Sequence, residues 1–187
     1  MKGDLMDKGA VIWITGLPGS GKTTVARQLK ETLEKKRLRT EILDGDEVRK
    51  WLSPEAGFSK EDRERHLTRV AHVSKLLARN GVIVIASFVS PYRNVRDKIR
   101  HIVEEDDLEF LEVFAKCSIE TCIQRDPKGL YKKALKGEIK DMTGIQDTFE
   151  EPLNPEVVIN TESGNPNASV NQILTCLDNL NEKIHRA

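Results

Sequence analysis

The sequence predicts an α/β fold, a parallel sheet covered by helices on both faces, and three observations carry that prediction. Short apolar runs alternate with segments whose apolar residues recur at helical spacing, the pattern of successive strand and helix units. The run Val82-Ile83-Val84-Ile85-Ala86 is apolar without alternation, as a parallel strand buried from both sides would be. Between the first apolar run and the first helical stripe stands Gly16-Leu17-Pro18-Gly19-Ser20-Gly21-Lys22-Thr23-Thr24. It matches G-x-x-x-x-G-K followed by Ser or Thr, in the strand-before, helix-after context that pattern requires.

Residues 1–8 are polar and read as a loose start, after which Ala10 to Thr15 form a buried strand entering the glycine-rich loop. Val25, Ala26, Leu29 and Leu33 give the next segment one apolar stripe, a helix ending near Lys35-Lys36-Arg37. Thr40 to Leu43 make a second strand that runs into Asp44-Gly45-Asp46, where open α/β sheets place their ligands. Ser59 and Asp62 form a capping box for a long helix with Leu67, Val70, Ser74 and Leu77 on one face, ended by Gly81. Val82 to Ala86 follow as a strand, and Ser90-Pro91 reads as N-cap and first residue of another helix. Phe110 to Ala115 are the fourth strand, and Ser118 caps a short helix reaching Gln124. Charges, glycines and no long apolar stripe mark 125–150 as a mobile lid. Val157 to Ile159 are the fifth strand, and Val170, Ile173, Leu174, Leu177, Leu180 and Ile184 line a closing helix.

The loop is a phosphate cradle in this reading. Its glycines let successive backbone N–H groups converge on an anion, and the helix that follows aims its positive dipole end at the same place. Lys22 adds a point charge for the outer phosphates, and Thr23 offers a hydroxyl to Mg²⁺. The whole chain, 187 residues with 30 basic and 30 acidic side chains, fits one domain, 1–187, without a net charge to attract nucleic acid. No apolar run approaches the ~20 residues that span a bilayer. Cys117, Cys122 and Cys176 form no C-x-x-C pair and follow no signal peptide, so they read as reduced packing residues of a cytoplasmic protein.

A phosphate loop alone leaves GTPases, ATPases, small-molecule kinases and non-catalytic nucleotide modules open. Val82 to Ala86 ends in Ser87-Phe88, without the acid that closes the metal-binding strand of motor ATPases and many GTPases, and no Asn-Lys-x-Asp guanine reader occurs. The acids stand instead after the second strand, at Asp44 and Asp46, with Arg49 one helical turn away. Phosphoryl transfer to a hydroxyl needs the acceptor oxygen in line, its proton removed and the moving charge neutralised. Asp46 is suited to take the proton and Asp44 to order water around Mg²⁺, although on sequence grounds either carboxylate fits either task. Of Arg63, Arg65 and Arg69, the pair Arg63 and Arg69 is expected to face inward, because Leu67 and Val70 mark the buried side.

These residues carry a resemblance to the adenylyl-sulfate kinases, which phosphorylate the ribose 3′-hydroxyl of adenylyl sulfate with ATP. It rests on Gly16 to Thr24, Leu43 to Asp46 with Val48-Arg49, Gly57-Phe58-Ser59 with Asp62-Arg63, and Ser90-Pro91-Tyr92-Arg93. The long Arg125-Asp126-Pro127-Lys128-Gly129-Leu130-Tyr131-Lys132-Lys133-Ala134 segment, Gly137-Glu138-Ile139 and Thr143-Gly144-Ile145 complete it. The resemblance implies a P-loop kinase fold with five parallel strands in the order 2-3-1-4-5, Mg²⁺ with ATP, and a homodimer. It also implies that Asp46 meets the 3′-hydroxyl, Arg49 and Arg63 hold the phosphosulfate, and Phe58 stacks on the acceptor adenine. Lys128 belongs to the lid that closes over both nucleotides, Arg125 to the ATP side and Ser90 to the acceptor side. Departures occur at His66, where the family commonly has Asn, at Thr68 in place of Arg, at Met142 in place of Phe, and at Thr148-Phe149-Glu150 in place of Pro-Tyr-Glu. His66 either hydrogen-bonds the acceptor as Asn would, with its pairing made pH-dependent, or is a partly buried helix histidine, and Met142 is expected to cover a purine face through its sulfur. Ser90 is read as a cap and not as a covalent nucleophile, since no base is placed beside it. A related kinase for another small alcohol and a nucleotide-binding module without turnover are the alternatives.

Overall fold

The computed structural model describes residues 9–162 and 165–184, with side chains described to residue 180; the loose start expected over 1–8 and the Ile184 side chain lie outside these. Five strands, β1 (Ala10–Thr15), β2 (Thr40–Asp44), β3 (Ile83–Ser87), β4 (Glu109–Lys116) and β5 (Val157–Asn160), form one sheet in the order β2-β3-β1-β4-β5. Every pairing is parallel. The helices between them are α1 (Lys22–Lys35), α2 (Gly45–Leu52), α3 (Lys60–Arg79), α4 (Arg93–Glu104), α5 (Ile119–Arg125), α6 (Leu130–Leu135) and α7 (Pro166–Ile184).

Strand alternation sorts the core into two layers. Ile12 and Ile14 of β1, Ile83 and Ile85 of β3 and Val113 of β4 pack with Leu29 of α1 and Ile173 of α7. Val11, Trp13, Val84 and Ala86 point the other way, against Val70 of α3 and Ile99 of α4. Trp13 is fully buried there, stacked on Phe88 with ring centroids 5.3 Å apart. Because β3 and β4 flank β1, the chain reverses its winding direction at the carboxyl end of β1, and a crevice opens where the phosphate loop leaves that strand.

Two expected helix features differ. Ser90 does not cap α4: the helix begins after Tyr92, and the backbone at Ser90 has φ 44°, left-handed and unlike a cap. Its hydroxyl is taken by the indole of Trp13, 2.9 Å away, so a distant partner outcompetes the local cap. The lid segment holds more structure than its charge suggested. Tyr131, Ala134 and Met142 close on Cys117 and Cys122 as a third, small apolar cluster, with Leu17 of the phosphate loop packed against it. A glycine with positive φ stands on each side of α6, Gly129 at 66° and Gly137 at 75°, so six residues suffice to bring Tyr131 down to the loop.

Candidate active site

The phosphate loop is fixed by close approach. A Cβ on Gly16 would lie 2.6 Å from the carbonyl oxygen of Ala115 in β4, so the loop can leave β1 along this path only with glycine there. Gly21, at φ 84°, turns the chain into α1 without a side-chain cap, leaving the first N–H groups of the helix open to an anion. Pro18, Gly19, Gly21, Lys22, Thr23 and Thr24 border a single large cleft. The side chains of Leu17 and Ser20 turn away from it, Leu17 toward the lid cluster and Ser20 into the interior, which leaves the backbone as their contribution. Lys22 curls over the loop, its Nζ donating to the carbonyls of Gly16 (2.9 Å) and Leu17 (2.7 Å). Burial lowers its pKa to about 8, with Lys128 adding to the lowering and Asp44 opposing it.

Asp44 connects the loop to the second strand. Its Oδ2 accepts from the Thr23 hydroxyl at 2.9 Å, while Oδ1 accepts from the backbone N–H of Asp46 at 3.1 Å and so caps α2. Both oxygens are therefore oriented, one toward α1 and one toward α2. Asp46, one residue into α2, is solvent-facing and ion-paired with Lys128 from the lid. The sequence-predicted acids, the loop lysine and the lid lysine thus meet around one volume.

A second group lines the same cleft. Arg49 donates to the Gly57 carbonyl at 2.9 Å and Arg63 to the Phe58 carbonyl at 2.8 Å. The two guanidinium carbons lie 4.9 and 5.6 Å from the Phe58 ring centroid, so Phe58, half exposed, is framed by two cations. Arg63 also donates to the Asp141 carbonyl at 2.7 Å, joining α3 to the lid. Arg69 departs from expectation. It leaves the cleft and donates to Leu52 O and Ser53 Oγ while pairing with Glu55, because its turn of α3 lies under the α2–α3 connection.

His66 is buried, with Nδ1 3.0 Å from Ser53 Oγ and its ring tilted on Phe88 at 5.8 Å. Desolvation, then the charges of Arg49 and Arg69, lower its pKa to about 4. Of the two readings of His66 the burial favours the helix histidine, neutral near pH 7, although the ring does border the cleft. The sign fixes a prediction. Between about pH 6.5 and pH 4 the unfolded chain binds a proton that folded His66 refuses, so this residue's contribution to stability falls as pH falls through that window. Urea titrations should show His66→Asn losing less stability than the parent between these limits; equal losses would contradict the assignment.

Met142 also borders the cleft, yet its side chain is largely buried in the lid cluster. Arg125 lines the cleft as well, donating to Thr161 O at 2.7 Å. Three anchors were missed in the sequence reading. Tyr131 donates its hydroxyl proton to Pro18 O at 2.9 Å, pinning the lid helix to the phosphate loop. Trp13 holds Ser90, and Arg96 bonds Glu112 (2.7 Å), Ser90 O (2.6 Å) and Glu150 O (2.7 Å). For Arg96 a signal existed: it sits on the face of α4 otherwise made by Val95, Ile99 and Val103, and a cation on an apolar face calls for a buried partner.

The cleft encloses about 1590 Å³. Sites for one small ligand run to roughly 1,000 Å³, so this one has room for a donor and an acceptor side by side. A family model described as Adenylylsulphate kinase matches residues 8–160. The chain belongs to the adenylylsulphate kinase family. A probable adenylyl-sulfate kinase of Aeropyrum pernix is 58% identical over 158 residues, covering 84% of this chain and 86% of that protein. An adenylyl-sulfate kinase of Staphylococcus haemolyticus is 51% identical over 172 residues, 92% of this chain and 85% of the relative. Among solved structures, a Mycobacterium tuberculosis APS kinase in complex with AMPPNP and APS superposes with a TM-score of 0.89 at 36% identity, over 91% of this chain and 98% of that one. Membership accounts for the P-loop kinase fold and strand order seen here. Among the described residues no helix is long and apolar enough to cross a membrane.

Proposed function

We propose that this protein transfers the γ-phosphoryl group of ATP to the ribose 3′-hydroxyl of adenylyl sulfate, giving 3′-phosphoadenylyl sulfate and ADP. The observation that carries this reading is the shared cleft itself. A cationic phosphate loop forms one side, two arginines framing Phe58 form the other, and Asp46 stands between them. ATP lies with its phosphates on the loop backbone and Lys22, and Arg125 borders its outer end. The acceptor's adenine stacks on Phe58, and its phosphosulfate meets Arg49 and Arg63.

Asp46 then hydrogen-bonds the 3′-hydroxyl and takes its proton as the oxygen attacks. Lys22 stabilises charge that spreads over the transferring group, and Lys128, released from Asp46 when the hydroxyl arrives, adds a second cation from the lid. Closure over the nucleotides excludes water, which would otherwise accept the phosphoryl group. The oxygen set of Thr23 and Asp44, a hydroxyl and a carboxylate already bonded at 2.9 Å, suits a hard cation that keeps part of its water shell. These two residues would hold Mg²⁺, which supplies charge neutralisation between the phosphates when bound. A homodimer in the cytoplasm completes the reading; the buried thiols of Cys117 and Cys122 fit a reducing compartment.

An acceptor panel tests the proposal. With ATP fixed, kcat/KM for adenylyl sulfate should exceed that for AMP by more than a hundredfold, because two arginines lose the sulfate oxygens they bind. Equal use of AMP, or preference for a sugar alcohol, would favour a kinase for another small hydroxyl acceptor. Sedimentation at micromolar concentration checks the dimer.

A further inference from the structure

Ser90 is held in a conformation that a residue with a Cβ ordinarily avoids. Its φ of 44° is left-handed, and neighbouring elements fix it there. From β1, Trp13 Nε1 donates to Ser90 Oγ at 2.9 Å and Thr15 Oγ1 donates to Val89 O at 2.7 Å. From α4, Arg96 donates to Ser90 O at 2.6 Å. Trp13 and Arg96 are themselves immobilised, Trp13 by its stack on Phe88 and Arg96 by Glu112 and the Glu150 carbonyl. Such over-determination of a strained residue is expected where its geometry is used, and Ser90 borders the cleft.

The hydrogen-bond inventory states what the clamp leaves available. An indole N–H only donates, so Ser90 Oγ must accept from Trp13. The hydroxyl's own proton has no acceptor among the described hydrogen bonds. Segment 88–90 forms the wall on the acceptor side, since Phe88 packs against His66 and lies beside Gly45, next to Asp46. We infer that Trp13 is a positioning residue that turns the Ser90 hydroxyl proton into the cleft, where it is donated to an oxygen of the acceptor nucleotide. The strand that feeds the phosphate loop thereby also sets a contact to the second substrate. Accepting the indole proton opposes any role of Ser90 as nucleophile.

This inference rests on the acceptor reading above and is tested separately from it. Trp13→Phe preserves a ring against Phe88 and removes the N–H. It should raise KM for adenylyl sulfate about tenfold, with KM for ATP within about twofold and kcat within about threefold. Ser90→Ala should do the same, and adding Trp13→Phe to Ser90→Ala should raise KM no further. An unchanged KM in Trp13→Phe, a rise in the ATP KM instead, or a full second rise in the double variant overturns the inference. NMR of the parent protein removes dependence on how the variants fold. The Trp13 indole N–H resonance, assigned with Trp51→Phe, should move as adenylyl sulfate is titrated in, and a stationary resonance is contrary. If the parent does not turn over adenylyl sulfate, the function reading fails. The clamp is then still judged by whether Ser90→Ala speeds exchange of that indole proton, and unchanged exchange counts against it.

Discussion

Lys22→Ala is expected to lower kcat by about a hundred- to a thousandfold, while the affinity for adenylyl sulfate changes by less than about threefold. The asymmetry follows from where the lysine sits. Its ammonium is buried at the loop and bonded to the Gly16 and Leu17 carbonyls, whereas Arg49 and Arg63 frame Phe58 elsewhere in the cleft lining. In the proposed mechanism Lys22 meets charge that grows on the transferring group and has no part in holding the acceptor. Burial lowers its pKa to about 8, and phosphates bound at the loop would favour its charged form. Steady-state kinetics with both substrates varied, together with calorimetric binding of adenylyl sulfate, separates the two effects. A loss confined to acceptor affinity would contradict the role.

Asp46→Asn carries the other large effect, an expected loss of about a hundred- to ten-thousandfold in kcat, the range for removing a general base. The side chain is more than half exposed, and its Lys128 partner is equally exposed, so the ion pair adds little to stability and the variant should fold as the parent does. The cap on α2 survives too, because Asp44 bonds the backbone N–H of residue 46 and not its side chain. Lys128→Ala provides the contrast. It deletes the same ion pair without removing the base, and its kcat should fall by about tenfold or less. Equal losses in the two variants would mean that the pair acts as a latch and that Asp46 is not the base. A stopped-flow proton-release measurement on Asp46→Asn adds a check independent of affinity.

Much of the architecture is legible in the chain because parallel strands buried on both faces need continuous apolar runs; β1 and β3 have them, and β4 is apolar from Phe110 to Ala115 except at Glu112, the partner of Arg96. The same holds for features that depend on neighbours in sequence, such as the Ser59 cap of α3, whose hydroxyl accepts from the N–H of Asp62. Site residues that come in short motifs, Lys22, Thr23, Asp44 and Asp46, converge as their spacing suggests. What fails to be legible depends on partners far along the chain. Ser90 has the local signature of a cap, yet its hydroxyl partner is 77 residues away. Arg69 shares the helical face of Leu67 and Val70 closely enough to look inward, but the last residue of α2, Leu52, offers a carbonyl and Glu55 a charge. His66 falls at a position read through its Asn counterpart, and nothing in local periodicity reports that burial, with the charges of Arg49 and Arg69 added to it, would depress its protonation. Tyr131 could be quoted as part of a motif without its task being visible, because Pro18 O lies 113 residues away.

The most direct test is product identification. The protein incubated with ATP labelled at its γ-phosphate, Mg²⁺ and adenylyl sulfate should yield labelled 3′-phosphoadenylyl sulfate and unlabelled ADP in equal amounts. The label should be removable by a 3′-specific phosphatase and absent when Lys22→Ala replaces the parent under the same conditions. Release of the label as inorganic phosphate, or its transfer to an acceptor other than the ribose 3′-hydroxyl while adenylyl sulfate is left untouched, would contradict the account.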